Sequence, residues 1–237
     1  MLAIYASSFL CAQTNADSNL LPNRSRMIAR MEALSQYNST MLVNTENTLE
    51  DEYVPSDLVY LTRIINPNAV TLKSRHIRAS RDAAMAISDM ANAMCAQGHG
   101  KLYIQSAYRP LSSQLYLYQR SISKQDESDS EYMGAVPPEA SEHRTGLAFD
   151  IGIVGVGIIY DHESPEAQWL LANAYEFGFV LRYQVGKEDI TGVKFEPWHY
   201  RYVGTALATY MHNNNICLEE AYEDWNDILF KDIIPIM

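Results

Sequence analysis

Cysteine is scarce in this chain, and long apolar runs are missing. The 237 residues include only Cys11, Cys95 and Cys217, and no two of them stand at C-x-x-C spacing. This argues against a cysteine-ligated metal site, and a disulfide between Cys95 and Cys217 stays open. No apolar run reaches the roughly 20 residues that cross a bilayer. We therefore expect no transmembrane segment.

Basic residues are also few. Lysine and arginine together number 18 against 29 acidic side chains, which gives a net charge of −11. A nucleic-acid-binding protein needs a basic surface to neutralise phosphates, so the charge argues against that class. Lys73, Arg75, Arg78 and Arg81 nevertheless lie close together. Such a cluster is usually a solvated helix face, although this one could meet an anionic polymer.

Length and composition favour one larger domain. The chain is 47% hydrophobic, which is ample for a single core. Residues 1–14 are uncharged and apolar like the centre of an export signal, but they lack the positively charged region with which such a signal starts. Residues 15–40 are polar. We expect residues 1–40 to form an N-terminal segment, a remnant of an export signal followed by a polar tail, and residues 41–237 to form the domain.

Hydrophobic spacing and turn residues predict alternating helices and strands. Helices are expected over 77–97, from Pro110, and over 165–177, 204–213 and 218–229; strands over 102–106, 147–154, 179–183 and 198–203; and a long loop over 121–140. This order predicts an α+β domain with a small, mainly antiparallel sheet and helices packed mostly on one side.

Two segments in the second half hold the residues of a metal site. One runs from Ser141 to Asp150 and includes His143, and the other is Glu196-Pro197-Trp198-His199. A catalytic zinc site needs three nitrogen or oxygen ligands, an open position for water and a nearby group that takes the proton of that water. The spacing predicts a turn and a strand rather than the helical H-E-x-x-H arrangement, which the chain lacks.

These motifs resemble those of a known family. The pattern Ser-x-His-x-x-Gly-x-Ala-x-Asp at 141–150, Glu-Pro-Trp-His at 196–199 and Ser-Ala-Tyr-Arg at 106–109 is similar to zinc D-alanyl-D-alanine carboxypeptidases of the VanY type. The resemblance covers most of the chain from about residue 41. It implies one zinc ion and the following roles: His143, Asp150 and His199 as ligands, Glu196 as general base, Arg109 steadying the charge on the scissile carbonyl, and Gln114, Ser141 and Tyr183 lining the substrate pocket.

Four of these side chains could instead have purely structural roles. Arg109 could serve only to pair a carboxylate. Gln114 could be solvated on its helix. Ser141 could cap a turn, and Tyr183 is one of sixteen tyrosines.

The resemblance also implies a reaction. The expected activity is zinc-dependent hydrolysis that releases the terminal D-alanine from peptidoglycan stem peptides or their precursors, outside the cytoplasm, at the cell envelope or after secretion. Sequence leaves open whether the stem ends in D-Ala-D-Ala or is a tetrapeptide cut by an L,D-carboxypeptidase, and we favour the first. The same motifs could belong to a peptidoglycan endopeptidase or to a non-catalytic zinc domain that binds the wall. Retention of Glu196 argues against the non-catalytic domain.

Overall fold

The computed structural model of this chain describes residues 39–125, 135–159 and 161–222. The strands are β1 (Leu58–Tyr60), β2 (Val70–Leu72), β3 (Arg78–Ser80), β4 (Leu102–Ser106), β5 (Ala148–Ile153), β6 (Gly157–Ile158), β7 (Phe179–Leu181) and β8 (His199–Tyr202). The α-helices are α1 (Arg81–Ala96), α2 (Leu111–Gln125), α3 (Pro165–Asn173), α4 (Glu188–Thr191) and α5 (Thr205–Asn214), and short 3-10 helices span Leu61–Arg63, Pro138–Ala140, Glu142–Thr145 and Ala174–Phe177.

Six strands form one sheet in the order β2-β4-β5-β8-β7, and β6 pairs with β5 as a short addition. All pairs in this sheet are antiparallel except β2 with β4, which run parallel. Strands β1 and β3 form a separate antiparallel pair. The expected α+β fold is therefore confirmed, and its sheet is mixed at the β2 edge.

Helix α1 packs the centre of the core against this sheet. Its residues Ile87, Met90 and Met94 recur at helical spacing and are fully buried. The helix begins at Arg81, and residues 78–80 belong to β3, so the expected start at residue 77 is wrong. The Ser80 hydroxyl donates to Asp57 instead of capping the helix.

A second cluster forms where β7, α5 and the helical residues 218–222 meet. Val180, Leu207, Met211 and Leu218 are buried there. The rest of the helix expected over 218–229 lies outside the described residues. So do residues 1–38 and 126–134, while helix α2 continues to Gln125 where a loop was expected.

Cys95 and Cys217 are both free thiols, so the disulfide left open by the sequence is not formed. Among the described residues, no helix combines the length and the hydropathy that crossing a membrane requires.

Candidate metal centre

A sharp turn places His143 beside the start of β5. The 3-10 helix Glu142–Thr145 ends at Gly146, whose φ is +72°. A Cβ at Gly146 would lie 2.9 Å from the backbone nitrogen of Ser80 and 2.9 Å from Leu58 Cδ2. Only glycine fits both the left-handed conformation and this space. The chain then enters β5 and reaches Asp150.

Strand pairing brings the second segment to the first. In the β5–β8 ladder Asp150 lies opposite His199, and in the β4–β5 ladder it lies opposite Ser106. Glu196 precedes β8 in a turn, where its carbonyl accepts a hydrogen bond from the His199 backbone at 3.1 Å. The expected turn and strand, and the approach of Glu196 and His199 to Asp150, are confirmed.

The three side chains converge on one point. Asp150 Oδ1 lies 3.3 Å from His143 Nε2 and 3.7 Å from His199 Nδ1, and one ligand atom from each residue falls within 4.8 Å of the others. Ligands at about 2.0–2.2 Å around a tetrahedral zinc ion would be about 3.4 Å apart. The chemistry and spacing of these donors therefore fit a zinc ion that keeps one position open.

The remaining ring nitrogens are held from outside the cluster. His143 Nδ1 lies 2.7 Å from the carbonyl of Ala107. His199 Nε2 lies 3.3 Å from Glu142 Oε2. Because a carbonyl and a carboxylate only accept, both contacts favour the tautomer that leaves His143 Nε2 and His199 Nδ1 with a free lone pair. Such outer partners orient metal-binding histidines.

Glu142 belongs to a buried charge network. Its Oε1 accepts from Arg182 Nε at 2.7 Å and from Arg201 Nη1 at 2.9 Å, and all three side chains are 0% exposed. Arg182 also donates to both carboxylate oxygens of Glu219, at 2.6 and 2.8 Å. Arg201 donates to the carbonyl of Met41 at 2.7 Å. The network therefore ties His199 to distant parts of the chain.

Burial and neighbouring charges shift the pKa values at the centre. Burial would raise the pKa of the Asp150 carboxyl, but His143, His199 and Arg109 hold it well below its usual range. Burial, with Arg109, lowers the pKa of His143. Burial would also raise the pKa of the Glu142 carboxyl, but Arg182 and Arg201 depress it. The directions for Asp150 and His143 are those that metal binding favours, an ionised aspartate and a neutral histidine. Burial would lower the pKa of His199, but the bond to Glu142 and the charges of Glu196 and Asp150 raise it.

Glu196 lies at the open side of this cluster. Its Oε2 is 3.4 Å from His199 Nδ1, and its side chain is 28% exposed. Burial raises the pKa of this carboxyl, and His199 offsets part of the rise. A carboxyl with a raised pKa, next to three candidate metal ligands, is suited to accept and return a proton.

Arg109 reaches the same cluster from the loop after β4. Its guanidinium donates to Gln114 Oε1 at 2.6 Å, Ser106 Oγ at 3.1 Å and Asp150 Oδ2 at 3.2 Å. The side chain of Gln114 is buried and donates in turn to the carbonyl of Val136 at 2.9 Å. Gln114 is therefore not a solvated side chain, and it holds Arg109 in place.

Ser141 and Tyr183 flank the cluster. Ser141 is 1% exposed and precedes the 3-10 helix that carries His143, but its side chain makes no capping hydrogen bond to that helix. The Tyr183 ring lies 4.9 Å from the His199 ring and 4.9 Å from the Arg182 guanidinium. The structure thus brings all eight predicted site residues into one region.

Sequence reasoning missed Glu142, Arg182, Arg201 and Glu219. Glu142 stands inside the motif around His143, but its importance lies in contacts with residues 40, 57 and 59 positions away along the chain. No local pattern reports such contacts. The only signal in the sequence is that charged residues occupy segments whose neighbours are typical of a buried core.

Glu142→Gln is expected to weaken zinc binding about 10–100-fold, because outer partners of metal-binding histidines contribute about that much. Breaking the buried pairs should also cost about 3–5 kcal/mol of stability. Competition with a chromophoric chelator measures the first effect, and the midpoint of urea unfolding measures the second.

Glu219→Gln is the matched control. It also removes a carboxylate from Arg182, but it does not touch His199. Zinc affinity close to the wild-type value is expected for this variant. Equal losses of zinc affinity in both variants would show that Glu142 acts only through general stability.

Comparison with known proteins identifies the family. The sequence model described as VanY, D-alanyl-D-alanine carboxypeptidase, matches residues 76–205. A D-alanyl-D-alanine carboxypeptidase of Enterococcus faecium is 36% identical over 188 residues, which are 78% of this chain and 57% of that protein. The chain thus spans little more than half the length of this curated relative.

Two solved structures show the same fold. The LdcB LD-carboxypeptidase is 33% identical, with a TM-score of 0.63, and the match covers 77% of this chain and 84% of that one. The vancomycin resistance D,D-pentapeptidase VanY, in complex with Zn(II), is 30% identical, with a TM-score of 0.62, and the match covers 78% of this chain and 98% of that one. The chain belongs to the VanY family of D-alanyl-D-alanine carboxypeptidases.

Proposed function

We propose that this chain is a zinc carboxypeptidase that removes the terminal D-alanine from peptidoglycan stem peptides. The observation that carries the proposal is the convergence of His143, Asp150 and His199 on one point, with Glu196 beside it. These three residues would hold the ion, and a zinc ion there would polarise the peptide carbonyl and lower the pKa of a water molecule to about 7.

Glu196 is proposed to move the protons of the reaction. Its carboxylate would take a proton from the attacking water and pass it to the leaving amine. This role needs an ionised group that can also hold a proton for a short time. The raised pKa of this partly buried carboxyl and its remaining exposure to solvent both meet this requirement.

Arg109 is proposed to stabilise the negative charge that develops on the carbonyl oxygen. Arginine stays charged at every relevant pH and presents a planar set of donors. Bonds to Gln114, Ser106 and Asp150 fix its orientation before substrate arrives. Donors that are oriented in advance cost little reorganisation in the transition state. Ser141, Gln114 and Tyr183 are proposed to line the pocket for the end of the peptide.

We favour a stem that ends in D-Ala-D-Ala. A D,D-pentapeptidase and an LD-carboxypeptidase are both among the similar structures, so the tetrapeptide stem is the second candidate. We also propose that the protein acts outside the cytoplasm, at the envelope or secreted, where mature peptidoglycan lies. Residues 1–40 are proposed as the N-terminal segment and residues 41–237 as the catalytic domain.

Mass spectrometry of two purified stems tests this function. One pentapeptide ending in D-Ala-D-Ala and one tetrapeptide ending in D-Ala are incubated with the zinc-loaded protein, with and without a chelator. Loss of one alanine from the pentapeptide, abolished by the chelator, is expected. Loss of alanine from the tetrapeptide alone would show that the protein is an L,D-carboxypeptidase and not a D,D-carboxypeptidase. A cut at an internal bond would favour an endopeptidase, and intact stems would leave a binding domain.

Arg109→Lys is expected to lower kcat/KM for the pentapeptide about 10²–10³-fold, because lysine keeps the charge but loses the fixed planar donors. Steady-state kinetics with a coupled assay for D-alanine measures the loss, and the zinc content is determined on the same sample. Arg120→Lys on the exposed side of α2 is the control and should behave as wild type. Full activity of Arg109→Lys would mean that Arg109 only pairs with Asp150.

A further inference from the structure

All charged side chains of residues 58–81 are basic, although the chain as a whole is acidic. Residues 58–81 contain no aspartate or glutamate, although the whole chain has 29 of them. The same stretch holds five cations, Arg63, Lys73, Arg75, Arg78 and Arg81. Arg78 is partly buried and the other four are exposed. Arg78 lies on β3, Arg81 begins α1, Lys73 and Arg75 lie between β2 and β3, and Arg63 ends the 3-10 helix Leu61–Arg63. The cluster is therefore not one helix face, which corrects its interpretation from sequence.

None of these five cations forms an ion pair with any residue that the structure describes. The carboxylate of Asp57, next to the stretch, accepts from the Ser80 hydroxyl and from the backbone of Arg81. Elsewhere in the molecule Arg109, Arg182, Arg201 and Lys187 are all matched by carboxylates or by several hydrogen bonds. As far as the described residues extend, the cations of residues 58–81 are therefore available to an outside anion.

Two of these arginines are ordered by tyrosine rings. Arg63 lies 5.6 Å from the centre of the Tyr60 ring, and Arg78 lies 6.0 Å from the same ring and 5.1 Å from the Tyr108 ring. Stacking on a ring face leaves the N–H groups at the edge of a guanidinium free to donate. Tyr60, Arg63, Arg78 and Tyr108 are called the arginine–tyrosine patch below.

The patch borders the metal centre. The backbone of Tyr108 donates to the carbonyl of Arg78 at 2.8 Å, and the backbone of Arg109 donates to the carbonyl of His143 at 3.0 Å. Extended backbones joined by such hydrogen bonds lie about 4.8 Å apart, so two steps place the Arg78 backbone about 10 Å from that of His143. An extended peptide covers this distance with about three residues.

We propose that the arginine–tyrosine patch binds a carboxylate of the substrate, about three residues before the scissile bond. This proposal rests on the proposed peptidase function. Planar guanidinium groups match carboxylates in two-point hydrogen bonds. In a protein of net charge −11, a stretch of 24 residues that holds five cations and no carboxylate also lessens the repulsion that an acidic peptide would meet elsewhere. The patch thus selects acidic over amidated peptides.

Matched peptides test the patch. Both end in D-Ala-D-Ala and differ only by glutamate or glutamine three residues before the scissile bond. The wild-type protein should prefer the glutamate peptide about fivefold in kcat/KM, as expected for a partly exposed charge pair, and the preference should lie in KM rather than kcat. Arg63→Gln and Arg78→Gln should each reduce the ratio toward one. Arg120→Gln, an exposed arginine on α2, should leave it unchanged.

Binding without catalysis separates this proposal from the function on which it rests. Fluorescence anisotropy of the two labelled peptides with the zinc-free protein should show the same preference and the same effects of Arg63→Gln and Arg78→Gln. If neither peptide is hydrolysed but the preference in binding remains, the patch stands and the proposed activity fails. Equal binding of both peptides would overturn the patch. A third outcome is that the two peptides bind equally while inorganic polyphosphate binds and depends on Arg63 and Arg78. The patch would then be a site for phosphate polymers and not for a substrate carboxylate.

Discussion

Glu196→Gln should lower kcat for the pentapeptide about 10²–10⁴-fold, which is the usual contribution of a general acid–base residue. Glutamine has nearly the same shape but cannot take up the proton. Zinc binding should persist, because Glu196 is not among the three converging ligand atoms. Kinetics of D-alanine release and metal analysis by mass spectrometry, performed on one preparation, measure both quantities.

Asp189→Asn is the control for this change, since Asp189 is exposed on α4. It also replaces a carboxylate by an amide close in sequence, and its kcat should equal that of the wild type. Substantial activity of Glu196→Gln at full zinc occupancy would remove Glu196 from the role of base. Loss of zinc in that variant would instead make Glu196 a ligand.

His143→Ala should abolish stoichiometric zinc and with it all chelator-sensitive activity. Among the described residues three side chains are proposed to hold the ion, and the two that would remain, Asp150 and His199, would hold it much more weakly. Equilibrium dialysis against micromolar zinc, followed by metal analysis, measures the bound fraction. Circular dichroism checks that the variant is folded, because His143 is 5% exposed and its ring bonds the carbonyl of Ala107.

His162→Ala is the matched histidine control. The His162 side chain is 48% exposed and pairs only with Glu163 among the charged groups described. One zinc ion per chain and unchanged activity are expected. Stoichiometric zinc in a folded His143→Ala protein would contradict the ligand set.

The sequence predicted those parts of the site that are encoded in short segments. Gly146 permits a left-handed turn and Pro197 restricts the residue before it, so the turn before β5 and the turn before β8 could be predicted from neighbouring residues. Alternating and helical spacings likewise identified β4, β5 and α1, because these elements are long enough to show a period. The resemblance of the motifs to a known family supplied the roles of the side chains.

The remaining parts of the fold and the site depend on contacts between residues that are far apart in the sequence. Strands β1, β2 and β3 have three residues each, too few for a period, and β3 was absorbed into the helix that follows it. Glu142 finds its partners through the sheet, since Arg182 follows β7 and Arg201 lies on β8. The stacking of Arg78 on Tyr60 and Tyr108 likewise arises from pairing between separate segments.

His143, Asp150 and His199 are together proposed to hold one zinc ion. Crystals of the zinc-loaded protein, measured just above and just below the zinc absorption edge, give the position of the metal directly. One anomalous difference peak is expected, within bonding distance of all three side chains and next to Glu196. A peak held by other residues, or no peak at this point in crystals that contain stoichiometric zinc, would contradict it.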